Sequence, residues 1–154
     1  MVKSELEFRE GRSEDLWALV QMLADDELGK LREKPQHPLD DRYIKAFDAI
    51  DRDPNQSLIV VFLGQEIIGM FQLSFIPGLS RLGAMRGQIE SVRIASCHRG
   101  HGYGKLCFEW AINRCREKGC DLIQLTSDIT RTDAHRFYED LGFVASHTGY
   151  KLKL

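Results

Sequence analysis

Three glycines stand among basic and aromatic residues in Arg99-Gly100-His101-Gly102-Tyr103-Gly104-Lys105, where a strand-like segment meets a helix-like one. Upstream, Ile89-Glu90-Ser91-Val92-Arg93-Ile94 alternates as a strand does; downstream, Tyr103, Leu106, Cys107, Trp110, Ala111 and Cys115 recur at helical spacing. Glycines at such a junction let the backbone turn tightly and leave its N–H groups uncovered at the positive end of a helix. Those groups form a seat for phosphate, so the run predicts diphosphate binding. A Walker A loop is excluded: Arg99 stands where its first glycine belongs, and Leu106 where its Ser or Thr belongs. A Rossmann fingerprint needs G-x-G-x-x-G, and the spacing here is G-x-G-x-G.

What remains is Arg-x-x-Gly-x-Gly, carried by Arg99, Gly102 and Gly104, and it resembles the acetyl-CoA loop of the GCN5-related N-acetyltransferases (GNAT). A second run, Thr132-Asp133-Ala134-His135-Arg136-Phe137-Tyr138-Glu139-Asp140-Leu141-Gly142-Phe143, resembles that family's Ala-x-x-Phe-Tyr-x-x-Leu-Gly-Phe signature, in the family's order. The resemblance covers 58–154, and 4–57 agree in layout alone. It implies an α/β fold with a mixed sheet, helices on both sides and the order β-α-α-β-β-β-α-β-α-β-β. It also implies that acetyl-CoA, as cosubstrate, donates its acetyl group directly to a primary amine.

The same resemblance distributes the roles. Backbone N–H groups of Arg99, Gly100, His101, Gly102, Tyr103 and Gly104 would hold the pyrophosphate, with Arg99 and Lys105 adding charge. The strand bearing Val92, Arg93 and Ile94 would splay from its neighbour, pair with the pantetheine arm and offer an N–H to the oxyanion. The side chains of Val92 and Ile94 read equally as plain core.

Tyr138 falls with Ala134, Phe137 and Leu141 at i, i+3, i+4 and i+7, which places its ring on the buried helix face. The family's matching tyrosine protonates the departing CoA thiolate; the bland alternative is a core tyrosine. Glu90, by strict alternation, shares a face with Val92 and Ile94, a place for a carboxylate only if it lines a cleft. There it could act as base, offsetting the roughly 4 kcal/mol needed to deprotonate an alkylammonium at neutral pH. It could instead merely pair with Arg93 or with substrate. Arg131 departs from the family, which often carries Asn at that place, and it reads either as a contact to the CoA phosphates or as a solvated arginine.

The elements that must position these residues follow from periodicity. Leu6 and Phe8 mark an edge strand, Ser13 caps a helix through Leu23, 28–41 is a mobile loop, and a second helix spans about 41–49. Leu58–Leu63, uniformly apolar, is a central strand; Ile67–Ile76 follows, and a Gly/Pro-rich segment 77–87 leads to the strand of Glu90. Leu122–Ser127 is a strand, Thr132–Leu141 a helix, and Phe143–Leu154 one or two closing strands.

With 154 residues, 43% hydrophobic and 29% charged, the chain reads as one domain, 1–154. A net charge of −2 without a basic cluster argues against nucleic acid, and no apolar run is long enough for a membrane span, so a cytoplasmic protein is expected. The cysteines form no C-x-x-C pair, and Cys107 and Cys115 read as small buried residues. Cys97-His98…His101 lacks a second ligand pair, so no metal is expected. His135 and Arg136 read as facing solvent or, as the resemblance implies, the adenosine phosphate, and His98 and His101 as loop surface. A covalent route through Cys97 or Cys107 is the alternative to direct transfer.

Acidic residues at 25–27, 40–41 and 48–53 suit a cationic acceptor or a solvated face. The Asp-Ala-His-Arg-Phe-Tyr run looks like that of aminoalkylphosphonate and aminoglycoside acetyltransferases, which favours a small-molecule amine. Acetylation of protein amines and a non-catalytic acyl-CoA sensor are the competing functions. The apolar loop 75–85 reads as a homodimer or partner contact.

Overall fold

Val60 and Val61 are fully buried because their strand has neighbours on both sides and helices over both faces. The computed structural model describes residues 6–154. Its strands are β1 (Leu6–Glu10), β2 (Gln56–Leu63), β3 (Glu66–Pro77), β4 (Met85–Ile94) and β5 (Leu122–Gln124), in the spatial order β1-β2-β3-β4-β5. The first three pairings are antiparallel, and β4–β5 is parallel. The helices are α1 (Leu16–Leu23), α2 (Asp41–Arg52), α3 (Tyr103–Glu117) and α4 (Thr132–Asp140). The mixed α/β class is the expected one. The chain divides into two compact units, one ending at Gln124 and holding the whole sheet, the other spanning Leu125–Leu154.

Alternation along the strands assigns the two faces of the first unit. On one, Leu58, Val60 and Met70 pack with Leu16, Leu19 and Met22 of α1 and Phe47 of α2. On the other, the Phe8 and Trp110 rings stack at 5.2 Å, and Phe71 meets Trp110 edge-on at 5.8 Å. A Cβ at Gly87 would lie 2.5 Å from Cys115 Sγ, so only glycine lets α3 approach β4 this closely. Cys107 and Cys115 are buried, as their spacing predicts.

Several boundaries differ from expectation. Ser13 opens a 3-10 turn rather than capping α1; Asp15 accepts from the Arg12 N–H at 2.7 Å and pairs with Arg9. Asp40 caps α2, which runs to Arg52. The 28–41 segment is anchored: the Tyr43 hydroxyl donates to Glu33 at 2.8 Å and accepts from the Lys34 N–H. Between β3 and β4 the chain turns through left-handed Arg81 and Leu82, with Leu79 and Leu82 exposed.

The one or two closing strands expected over 143–154 are not formed. Residues 143–154 carry no regular structure, and Tyr150, Leu152 and Leu154 are exposed. Their alternation supplies a possible face, but a strand also needs a neighbour to complete its hydrogen-bond ladder, and none is paired here.

Candidate active site

The centre of the site is an irregularity in β4. Glu90 stands opposite Gln72 and Arg93 opposite Met70, so Ser91 and Val92 together oppose Phe71. Ser91 takes up the extra residue in a left-handed conformation, φ 54°. This bulge overturns the strict alternation expected from sequence: Glu90 shares its face with Arg93, not with Val92. Glu90 is also exposed, whereas Val92, Arg93 and Ile94 are half-buried. A carboxylate dried by its strand neighbours is therefore not what the fold builds.

β5 pairs with β4 only over Arg86–Gln88. Among the described residues, β3 is the only strand that pairs with β4 from Ile89 to Ile94, which leaves the other edge of this stretch unpaired. Past this edge the chain enters the glycine loop. Gly100 (φ 80°) and Gly102 (φ 82°) are left-handed, and Gly102 precedes the first turn of α3. Among the described residues, the N–H groups of 100–104 donate to no carbonyl, while Lys105 bonds back to the Gly102 carbonyl at 3.1 Å. Lys105 is exposed beside Glu109, and the His101 and Tyr103 rings stack at 5.9 Å. The arrangement is a cluster of free donors at a helix N-terminus, suited to an anion.

Arg99 has a structural duty besides its charge. Its Nε donates to the Ile94 carbonyl at 3.0 Å and Nη2 to the Asp25 carbonyl at 2.9 Å. The Asp25 carboxylate accepts from the Ser96 N–H at 3.2 Å, and Asp26 accepts from the Gly29 N–H and pairs with Arg93 at 3.5 Å. The acidic pair following α1 therefore clasps both ends of the β4–loop junction. These two carboxylates, candidates for a cationic acceptor by composition, are already engaged, as Asp40 is with Arg42. The Arg42 guanidinium holds the Asp40 carboxyl well below the usual carboxylate range.

The second unit carries Tyr138 on α4. Ala134, Phe137, Tyr138 and Leu141 are half-buried, matching the helical stripe read from sequence. The Tyr138 ring meets Phe137 at 5.7 Å and Phe143 at 6.3 Å, both edge-on. Arg131 occupies the N-cap position of α4 and is half-buried. His135 is half-buried, and its Nε2 lies 3.0 Å from the Asp128 carbonyl.

His98 is likewise half-buried, with Nε2 3.1 Å from Glu66. Glu66, Cys97 and His98 bring three possible ligand atoms within 4.8 Å of one another, a grouping that spacing along the chain could not show because Glu66 comes from β3. Burial pushes the Cys107 thiol up to about 12, which makes it a poor nucleophile.

Residues 17–143 match the model of the acetyltransferase (GNAT) family, and the chain belongs to that family. It is 32% identical over 95 residues to the aminoalkylphosphonate N-acetyltransferase of Salmonella typhimurium, covering 62% of this chain and 61% of that protein. A crystal structure named as a transcriptional regulator from Bacillus halodurans is 49% identical, with a TM-score of 0.94, covering 97% of this chain and all of that one. The fold is also shared with a predicted acetyltransferase from Clostridium acetobutylicum solved with acetyl-CoA, at 17% identity and a TM-score of 0.74 over 97% and 96% of the two chains.

Sequence reasoning missed two features: the Asp25–Asp26 clasp, and a polar row across the sheet made of the amides of Gln56, Gln88 and Gln124 and the hydroxyl of Ser74. The signal for the row was present. Gln72, Ser74, Gln88 and Glu90 interrupt strands that are otherwise apolar at every second place.

Proposed function

We propose that this chain is an acetyl-CoA-dependent N-acetyltransferase acting on a small primary amine. The observation that carries the reading is the edge of β4 left unpaired by β5 beyond Gln88, running directly into a glycine turn whose N–H groups, among the described residues, donate to no backbone carbonyl. The pyrophosphate would lie on the N–H groups of 100–104, with Lys105 and the exposed part of Arg99 adding charge. The pantetheine arm would extend along Val92–Ile94, where a strand N–H can polarise the thioester carbonyl.

The acceptor must reach that carbonyl as a neutral amine. Glu90, at the bulge, takes the ammonium proton directly or through water, and nitrogen then bonds to the acetyl carbon. Collapse of the tetrahedral adduct breaks the C–S bond, the Tyr138 hydroxyl gives its proton to the thiolate, and the excess proton on the new amide nitrogen returns through water to the tyrosinate. Backbone donors already in place stabilise the oxyanion without reorganising.

A second reading has one observation in its favour, the name of the Bacillus halodurans relative: an acyl-CoA-responsive module without catalysis. Thiol release separates the two. CoA appearing only when acetyl-CoA and an amine are both present supports the enzyme; acetyl-CoA binding with no release from any amine supports the module.

A further inference from the structure

Four polar side chains form one continuous row across the sheet. Gln56 on β2 stands opposite Ser74 on β3, Ser74 opposite Gln88 on β4, and Gln88 opposite Gln124 on β5. The adjoining row ends in Gln72 opposite Glu90. This is the face that α1 and α2 cover with Leu58, Val60 and Met70, and beyond that apolar cluster the sheet turns polar. Ser74 is only 6% exposed and the four glutamines are half-buried. Polar groups so placed need partners, and they partly supply one another.

Gln124 donates to the Gln88 carbonyl at 2.8 Å, and Gln88 donates to Glu90. Gln72 and Ser74 both donate to the Gln56 carbonyl, at 3.1 and 2.8 Å. The relay orients the Glu90 carboxylate. Among the described residues it also leaves the Gln56 amide N–H groups and the Gln72 and Gln124 side-chain carbonyls without a hydrogen-bond partner. The floor therefore offers spare donors and spare acceptors, spread over about 14 Å at the usual strand spacing, with one carboxylate beside it.

We propose that this row is the floor of the acceptor site and that the acceptor is an amine flanked by hydroxyl groups, an amino sugar or amino alcohol. The inference rests on the acetyltransferase reading above, with the ammonium at Glu90. A hydroxyl both donates and accepts, so it complements a mixed floor wherever it lands. An alkyl chain would leave the amides unpaired, which is costly. The additional ammonium groups of a polyamine would find no second carboxylate on the row. The next row, Ile76–Arg86–Leu122, holds a guanidinium and is where an anionic tail would be read instead.

The test measures CoA release by the full chain with an amino sugar, a short aminodiol, an alkylamine of matched length, a polyamine and an aminoalkylphosphonate. The hydroxylated amines should exceed the alkylamine by tenfold or more in kcat/KM. Gln56→Met and Gln124→Leu should each narrow the ratio of hydroxylated-amine to alkylamine kcat/KM by roughly tenfold. The thermal shift given by acetyl-CoA checks that each variant is folded. A preference for the alkylamine, polyamine or phosphonate overturns the inference, and so does a gap that persists in both folded variants; in each case the acetyltransferase reading stands. If acetyl-CoA binds and no amine releases CoA, that reading falls and this inference falls with it.

Discussion

Glu90 and Arg93, three positions apart on β4, share one face of the sheet because Ser91 and Val92 together oppose Phe71. The bulge does two things at once. It turns Glu90 toward the amide row, where Gln88 donates to it, and it turns Arg93 toward Asp26 at the end of α1. Bulges commonly re-aim side chains in this way beside active sites.

The first prediction concerns Glu90. As the base, it should be dispensable only where the amine deprotonates itself. Glu90→Gln should be slow at neutral pH and recover toward about pH 10, near the pKa of an alkylamine. A pH–rate profile on both proteins tests this. Equal loss at every pH would make Glu90 a binding group, and a wild-type profile would remove it from the mechanism.

Tyr138→Phe should lower kcat by about 10²–10⁴-fold while acetyl-CoA affinity hardly changes, because the lost proton transfer belongs to breakdown of the adduct. Full activity in the variant would leave Tyr138 as a packing residue against Phe137 and Phe143.

Gly102 has φ 82° and precedes α3. Valine there is strained by its conformation, although a Cβ would meet no atom of the protein within 4 Å. Gly102→Val should therefore fold and lose the thermal stabilisation that acetyl-CoA confers. An unchanged shift in the variant would remove the loop from the phosphate site.

A fourth prediction concerns stability alone. Asp15 is 5% exposed and accepts two bonds from Arg9, at 2.7 and 3.0 Å. Burial pushes its carboxyl up, but the Arg9 guanidinium and the Arg12 N–H more than offset this, leaving it below the usual range. A carboxyl depressed in the folded state stabilises above its unfolded pKa of about 3.9, and that stabilisation is lost as pH falls through the folded value. Asp15→Asn should cost about 3 kcal/mol at pH 7. Denaturant melts at pH 7 and below pH 4 should show the two proteins converging on the acid side; a constant difference would exclude the linkage.

The sequence by itself determined what depends on neighbours along the chain. The glycine turn, the stripe that half-buries Tyr138 and the apolar run of β2 are local patterns, since backbone conformation and helical spacing are set within a few residues. Tertiary structure alone decided what depends on pairing. Strict alternation put Glu90 with Val92, and only the register against β3 reveals the extra residue that turns it toward Gln72. Asp25 and Arg99 are 74 positions apart, so their clasp had no spacing to betray it. The alternation of Tyr150, Leu152 and Leu154 predicted a strand that is not formed, because a strand exists only when another completes its hydrogen bonds. Along the polar row Gln56 and Ser74 are 18 positions apart and Gln88 and Gln124 are 36 apart, and they become neighbours only when the strands pair.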